Sequence, residues 1–225
     1  MTHEHDHQHG HQHAHDHHHG HSADRGIRGV VRYMRRFPRM WRSPVSDAVV
    51  ALLNPQLNDR VVDVGAGMGP ATVVAARAGA TVIAVDPTPF MRRVLRIRRL
   101  WQRSRRRIIV IDGGAESLHI ADGSCDGLWA VNSMHHWTDL SAAIAEIHRV
   151  LRTGGRIVLV DENFDDPTHP SYAEMRTGRT AHHHEFDDVD VDAVAALLTA
   201  AGCTSSSASM STIAGRPAKI VRGVK

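Results

Sequence analysis

From residue 60 onward the apolar residues gather in short blocks, and each block ends in a polar or glycine-rich turn. Arg60-Val61-Val62-Asp63-Val64 runs into glycines, Thr81-Val82-Ile83-Ala84-Val85 into Asp86-Pro87, and Ile108-Ile109-Val110-Ile111 into Asp112-Gly113-Gly114. Gly127 to Val131 stops at Asn132, and Arg156 to Val160 stops at Asp161-Glu162. Short apolar blocks bounded by turn residues read as strands. Helical spacing fills the gaps over Ala71–Ala78, Phe90–Arg103 and Leu140–Leu151, the last halted by Thr153-Gly154-Gly155. Upstream, Ser43-Pro44 opens a helix that must close before Pro55. Downstream, Asp192–Ala201 reads as a helix closed by Gly202, followed by β-like pieces Ser207–Ile213 and Ala218–Val221. Continuously apolar strands alternating with helices predict a parallel sheet covered on both faces, in one doubly wound α/β domain.

The pattern is absent from Met1 to Asp24, where histidine recurs among Gly, Gln and acidic residues. With almost nothing to bury, residues 1–24 are expected to be a disordered His-rich tail and residues 25–225 the folded domain. The tail histidines His3, His5, His7, His9, His11, His13, His15, His17, His18, His19 and His21 can chelate Ni, Zn or Cu weakly, through many overlapping pairs. From Ile27 to Arg42, Val30, Val31, Met34 and Phe37 fall near one helical face among arginines until Pro38 interrupts.

Composition narrows the class further. The chain has 225 residues, 42% of them apolar, enough for a full core without staples. Its 2 cysteines, Cys125 and Cys203, provide neither a disulfide framework nor a Cys-rich metal site, which favours a reducing, cytoplasmic setting. No apolar run reaches the ~20 residues that span a bilayer. The net charge of +3 hides two arginine clusters, Arg28 to Arg42 and Arg92 to Arg107, a pattern that suits an anionic partner or peripheral contact with a membrane surface. Nucleic acid is disfavoured, because only 4% of residues are aromatic and no stacking platform is visible.

Ligands of open parallel sheets bind beyond the carboxyl ends of the strands, so residues there are the leading site candidates. The first such end reads Val61-Val62-Asp63-Val64-Gly65-Ala66-Gly67-Met68-Gly69-Pro70. Glycines at alternate positions allow a sharp turn and close approach of backbone N–H groups to a ligand. The dinucleotide fingerprint would need a glycine where Pro70 stands, which disfavours a nicotinamide-dependent oxidoreductase. Asp86, ending the second strand, is placed to accept both hydroxyls of a ribose. An adenosine-bearing cofactor other than NAD follows.

These stretches resemble the class I S-adenosylmethionine-dependent methyltransferases, in particular the small-molecule group that includes the quinone-biosynthesis enzymes. Residues 61–69 look like that family's first motif, residues 82–87 like its second-strand acid, residues 113–137 like the region around its fourth strand, and residues 146–162 like the approach to its fifth. The resemblance implies a Rossmann-like seven-stranded sheet with one antiparallel strand in a three-layer αβα sandwich. It also implies S-adenosylmethionine across Gly65 to Gly69. Asp63, Gly65, Ala66, Gly67 and Gly69 would surround the methionine moiety, Asp86 would hold the ribose, and Pro87, Thr88, Gly114, Ala115 and Asn132 would complete the cofactor site. Gly114 stands where the family commonly has an acid for the adenine amino group, so the Ala115 N–H or a shifted Asp112 is the available substitute.

Methyl transfer from a sulfonium needs positioning more than a protein nucleophile, and a base only where the acceptor carries a proton. His135 and His136, beyond the fourth strand, are the candidates for that base. His182-His183-His184, beside Glu185, Asp187 and Asp188, is a second polar cluster for substrate or metal. The function expected is methyl transfer to a small-molecule or lipid-like acceptor. The alternative is a metal-buffering or metal-sensing protein whose α/β domain is a degenerate cofactor carrier.

Overall fold

A computed structural model describes residues 41–176 and 189–225. The tail histidines, the basic segment up to residue 40 and His182 to His184 lie outside the described residues. In chain order the elements are α1 (Pro44–Leu53), β1 (Arg60–Val64), α2 (Pro70–Ala78), β2 (Thr81–Val85), α3 (Pro89–Leu100), β3 (Ile108–Ile111), β4 (Cys125–Val131), α4 (Leu140–Val150), β5 (Leu151–Glu162), α5 (Tyr172–Arg176), α6 (Val191–Ala200), β6 (Ser205–Ile213) and β7 (Arg216–Val224).

The strands form one seven-stranded sheet in the order β3-β2-β1-β4-β5-β7-β6. Strands β1 to β5 are parallel, and β7 runs antiparallel to both β5 and β6. Chain order reverses between β1 and β4, which sets the crevice of a doubly wound sheet at the carboxyl ends of those two strands.

The pleat explains the two layers. Val62, Val64, Ile83, Val85, Leu128, Ala130, Ile157 and Leu159 share one buried cluster with Ile144 and Ile147 of α4 and Val194 and Leu198 of α6. Their neighbours Val61, Val82, Trp129, Val158 and Val160 point the other way, into a second cluster with Val45, Val49 and Leu53 of α1 and Val73 and Ala75 of α2. A strand that buries both faces has no polar side to spare, which is why the sequence blocks read as continuous rather than alternating.

Local chemistry fixes the helix ends. The Ser43 hydroxyl accepts the Ser46 N–H at 3.3 Å, with Pro44 at the first helical position of α1. The Asp139 carboxylate accepts the Ala142 N–H at 2.9 Å to start α4, and Asp190 does the same for Ala193 at 3.1 Å in α6.

Helix α3 departs from the sequence reading. Helical spacing puts Met91, Val94, Leu95, Arg98 and Trp101 near one side, where a core stripe would lie, yet only Leu95 and Arg98 of these are buried, joined by Arg92. Trp101 is 77% exposed. The helix lies beside β3, the edge strand, where the sheet offers it a narrow apolar footing: Leu95 packs with Ala66 and Ala84. The last two strands also run longer than their apolar cores, because the β6–β7 hairpin pairs from Ser205↔Val224 to Ile213↔Arg216 through serines that periodicity does not count.

Candidate functional site

The β1–α2 loop turns in the left-handed region at Gly65 (φ 68°), Gly67 (φ 53°) and Gly69 (φ 73°). A Cβ on Gly65 would stand 2.3 Å from Ser133 Oγ, and one on Gly69 would stand 2.3 Å from Leu95 Cδ1. Those two glycines are dictated by packing. Gly67 is different, since a Cβ there meets nothing within 4 Å. Its bare backbone therefore borders open space at the end of the sheet, as expected where a ligand must approach the main chain closely.

Asp86 is 6% exposed and closes the loop from the β2 side. One carboxylate oxygen accepts the Gly67 N–H at 2.7 Å, and the other accepts the Thr88 N–H at 2.8 Å. Burial raises its pKa, opposed by those two N–H donors and by Arg92. Each oxygen keeps lone-pair capacity for one more donor, such as a ribose hydroxyl. The loop is also pinned to β2 by the Gly65 and Ala66 N–H groups, which both donate to the Val85 carbonyl at 2.9 and 3.0 Å.

Asp63 lies below the loop, 2% exposed, and accepts the Thr72 hydroxyl. Burial pushes its pKa up to about 6, with the Thr72 hydroxyl and the nearby Trp129 indole opposing and Asp86 reinforcing the rise. The indole faces the carboxylate without closing a hydrogen bond of full geometry. Asp63 thus ties β1 to the first turn of α2.

Beyond the ends of β2 and β3, Pro87 is exposed, Thr88 and Gly114 are half-buried, and Ala115 is buried. The Asp112 carboxylate is held at 2.7 Å by Arg92, which also donates to the Asp86 carbonyl at 2.8 Å. Asp112 is therefore committed to Arg92 rather than turned toward a ring. A Cβ on Gly114 would stand 3.1 Å from Glu116 Oε2. Glu116 is itself occupied, accepting the Thr138 N–H at 2.8 Å ahead of α4.

Beyond β4, the turn Met134–His136 brings the two candidate bases to the same end of the sheet. His135 Nδ1 lies 2.9 Å from Asp161 Oδ2, and its side chain and that of Asp161 are 5% and 6% exposed. Asp161 also accepts the Ser133 N–H at 2.9 Å and the His135 N–H at 3.1 Å. A carboxylate that accepts main-chain and ring donors together fixes the turn and the ring tautomer in one act. His136 is exposed, with its ring 4.1 Å from that of His135.

Asn132, in the left-handed region at φ 51°, turns its amide to Glu162: its oxygen accepts the Glu162 N–H at 2.7 Å, and its NH2 donates to Oε1 at 2.8 Å. The other Glu162 oxygen meets His169 at 3.0 Å and Arg216 at 2.7 Å. Burial raises the Glu162 pKa, but the bonds from Arg216, Asn132 and His169 outweigh it and hold the group below the usual range. Asn132 is thus a bracket between β4 and β5.

Sequence reasoning did not assign Asp161, Glu162, His169, Arg92 or Arg98 to the site. The first two end a strand, the position that marked Asp86, so that signal was present. Arg98 left no such signal. Its guanidinium donates at 2.8 Å to the Met68 carbonyl of the glycine loop and at 2.7 Å to the Trp41 carbonyl, and stacks 4.3 Å from the Trp41 ring. Burial, with Arg77 and Arg42 nearby, pushes its pKa down to about 10. Among the described residues no group of three or more His, Cys, Asp and Glu could hold a metal ion.

Residues 62–159 match the family model described as a methyltransferase domain. An uncharacterised methyltransferase of Mycobacterium bovis is 38% identical over 114 residues, covering 51% of this chain and 44% of its own length. Residues 62–159 thus carry the likeness to a methyltransferase domain. A demethylmenaquinone methyltransferase of Renibacterium salmoninarum is 33% identical to it over 139 residues, covering 62% of this chain and 52% of the relative. The chain spans about half the length of the curated relatives it matches. The likeness in fold extends further: a putative S-adenosylmethionine-dependent methyltransferase of Methanococcus maripaludis superposes with a TM-score of 0.67 at 16% identity, over 88% of this chain and 92% of that one.

Proposed function

We propose that the protein transfers a methyl group from S-adenosylmethionine to a small-molecule or lipid-like acceptor. The observation that carries this reading is the cradle of Gly67 and Asp86: a bare backbone edge beside open space, with a buried carboxylate that keeps capacity for two hydroxyls. S-adenosylmethionine would supply the methyl group on a sulfonium, an electrophile that needs an in-line acceptor and no protein nucleophile. Gly65 to Gly69 would lie along the methionine moiety, Asp86 would take the ribose, and the Ala115 N–H is the available group for the adenine edge. Gly114 leaves that edge without a carboxylate, so adenine selectivity rests on the backbone and on the shape held by Arg92 and Asp112.

His135 is the residue assigned to take a proton from the acceptor as the new bond forms. Asp161 holds its Nδ1 and would stabilise the imidazolium that results. A hydroxyl, phenol or enolisable carbon is the acceptor chemistry this suits, and the demethylmenaquinone methyltransferase among the relatives supports a quinone-like molecule. Transfer from labelled S-adenosylmethionine into a lipid extract tests the reading. His135→Ala is expected to lower kcat by ~10²–10⁴ with KM for S-adenosylmethionine unchanged. Equal turnover by the variant would remove the base, and absence of any labelled product from soluble and lipid extracts would count against the reaction. The metal-buffering alternative draws no support from any described residue.

A further inference from the structure

We propose that the outer face of α3 is a docking surface for an anionic lipid bilayer. At 100° per residue, the buried Leu95 and Arg98 define the inner side of this helix, and Ile97, Leu100 and Trp101 fall on the outer side. Their exposures are 48%, 59% and 77%. A helix on a sheet normally keeps its large apolar groups for the core, yet here most of them face out.

The charge around this stripe is of one sign. Between Asp86 and Asp112 there is no acidic residue, while Arg92, Arg93, Arg96, Arg98, Arg99, Arg103, Arg105, Arg106 and Arg107 fall in that stretch. Arg93, Arg96, Arg103, Arg105 and Arg106 are exposed, and none of them makes a salt bridge to a described carboxylate. By contrast, Arg149, Arg152 and Arg156 on the other side of the sheet order each hold a carboxylate within 2.6 Å. An apolar stripe with an indole, rimmed by cations and lacking acids, is complementary to headgroup phosphates above an acyl boundary. A nucleic acid would use the cations but leaves Ile97 and Leu100 without a partner.

Docking would also serve the site, because α3 starts three residues beyond Asp86 and so links the stripe to the cofactor end of the sheet. The proposal does not depend on the methyltransferase reading, since it rests on the surface of α3 alone.

Vesicle flotation of the full chain at pH 8, where imidazoles are uncharged, tests it. The protein is expected to float with phosphatidylglycerol–phosphatidylcholine vesicles and to stay behind with phosphatidylcholine alone. Ile97→Ser/Trp101→Ser is expected to weaken partitioning by about tenfold or more, and Arg93→Ala/Arg96→Ala to weaken it and flatten its salt dependence. All four positions lie on the exposed side, and if the first variant melts early, the arginine variant carries the test. Unchanged partitioning of both variants, equal binding to both vesicle types or no binding at all overturns the proposal. So does duplex DNA binding that falls by the same factor in Ile97→Ser/Trp101→Ser, which would make a nucleic acid the partner. S-adenosylmethionine binding measured on the same samples is expected to stay at the parental level, so the two readings fail separately.

Discussion

Each oxygen of Asp86 accepts one N–H, from Gly67 and from Thr88, and this accounts for a buried carboxylate in a loop with so few other polar side chains. Asp63 carries the larger electrostatic cost, since burial lifts it from 3.8 to about 6. In that interval the folded chain holds more protons at this site than the unfolded chain. The contribution of Asp63 to stability is therefore greatest below about pH 4 and is lost as pH rises toward about 6. Asp63→Asn keeps an acceptor for Thr72 and removes the charge, so it is expected to raise stability at pH 8 by about 2 kcal/mol and at pH 4 by nearly nothing. Denaturant melts at the two pH values check this, and an equal effect at both would contradict it. Gly65→Ala is expected to destabilise the loop by about 1–3 kcal/mol, because a Cβ meets Ser133 at 2.3 Å in a left-handed conformation. The same melts measure that loss. Asp86 was legible in the sequence because a strand-ending acid has a positional meaning. Asp161 was less so, because its role depends on His135 standing 26 positions away in the chain and beside it in space.

Among the elements, the ones that read most directly from sequence are those whose side chains all answer to one requirement. Strands β1, β2 and β4 are buried on both faces, so apart from Asp63 their centres carry no charged residue and the block boundaries mark the strand ends closely. Helix α4 buries Ala143, Ile144, Ile147 and Val150 at helical spacing, and its pattern predicted it. Ile147→Ala is expected to cost about 2–5 kcal/mol, read as a fall in the denaturant midpoint, because the side chain is wholly buried between sheet and helix. Helix α3 shows the opposite case. Its apolar and cationic residues alternate around the whole circumference, so periodicity gave a stripe without saying which side faced the sheet. The answer lay in the edge position of β3 and in Leu95's small partners Ala66 and Ala84, facts of packing rather than of pattern. Strand β6 is obscured for a related reason: Ser205, Ser207, Ser209 and Ser211 face solvent on a terminal strand, where nothing requires them to be apolar.

The molecule as a whole follows from the reversal of strand order between β1 and β4, which sets the glycine loop, Asp86 and the His135–Asp161 pair at one end of the sheet. That the domain begins near residue 25 and carries the His-rich tail as a separate chelating appendage remains our proposal. Removal of residues 1–24 is expected to abolish most nickel binding in a competition titration and to leave cofactor affinity unchanged; a change in cofactor affinity would join the two parts. The central claim is that the Gly67–Asp86 cradle binds S-adenosylmethionine. Calorimetric titration of the full chain with that cofactor tests it most directly. One saturable site is expected, weakened by about tenfold or more in Asp86→Ala through loss of the ribose acceptor. Absence of binding by the intact chain, or full affinity in Asp86→Ala, would contradict it.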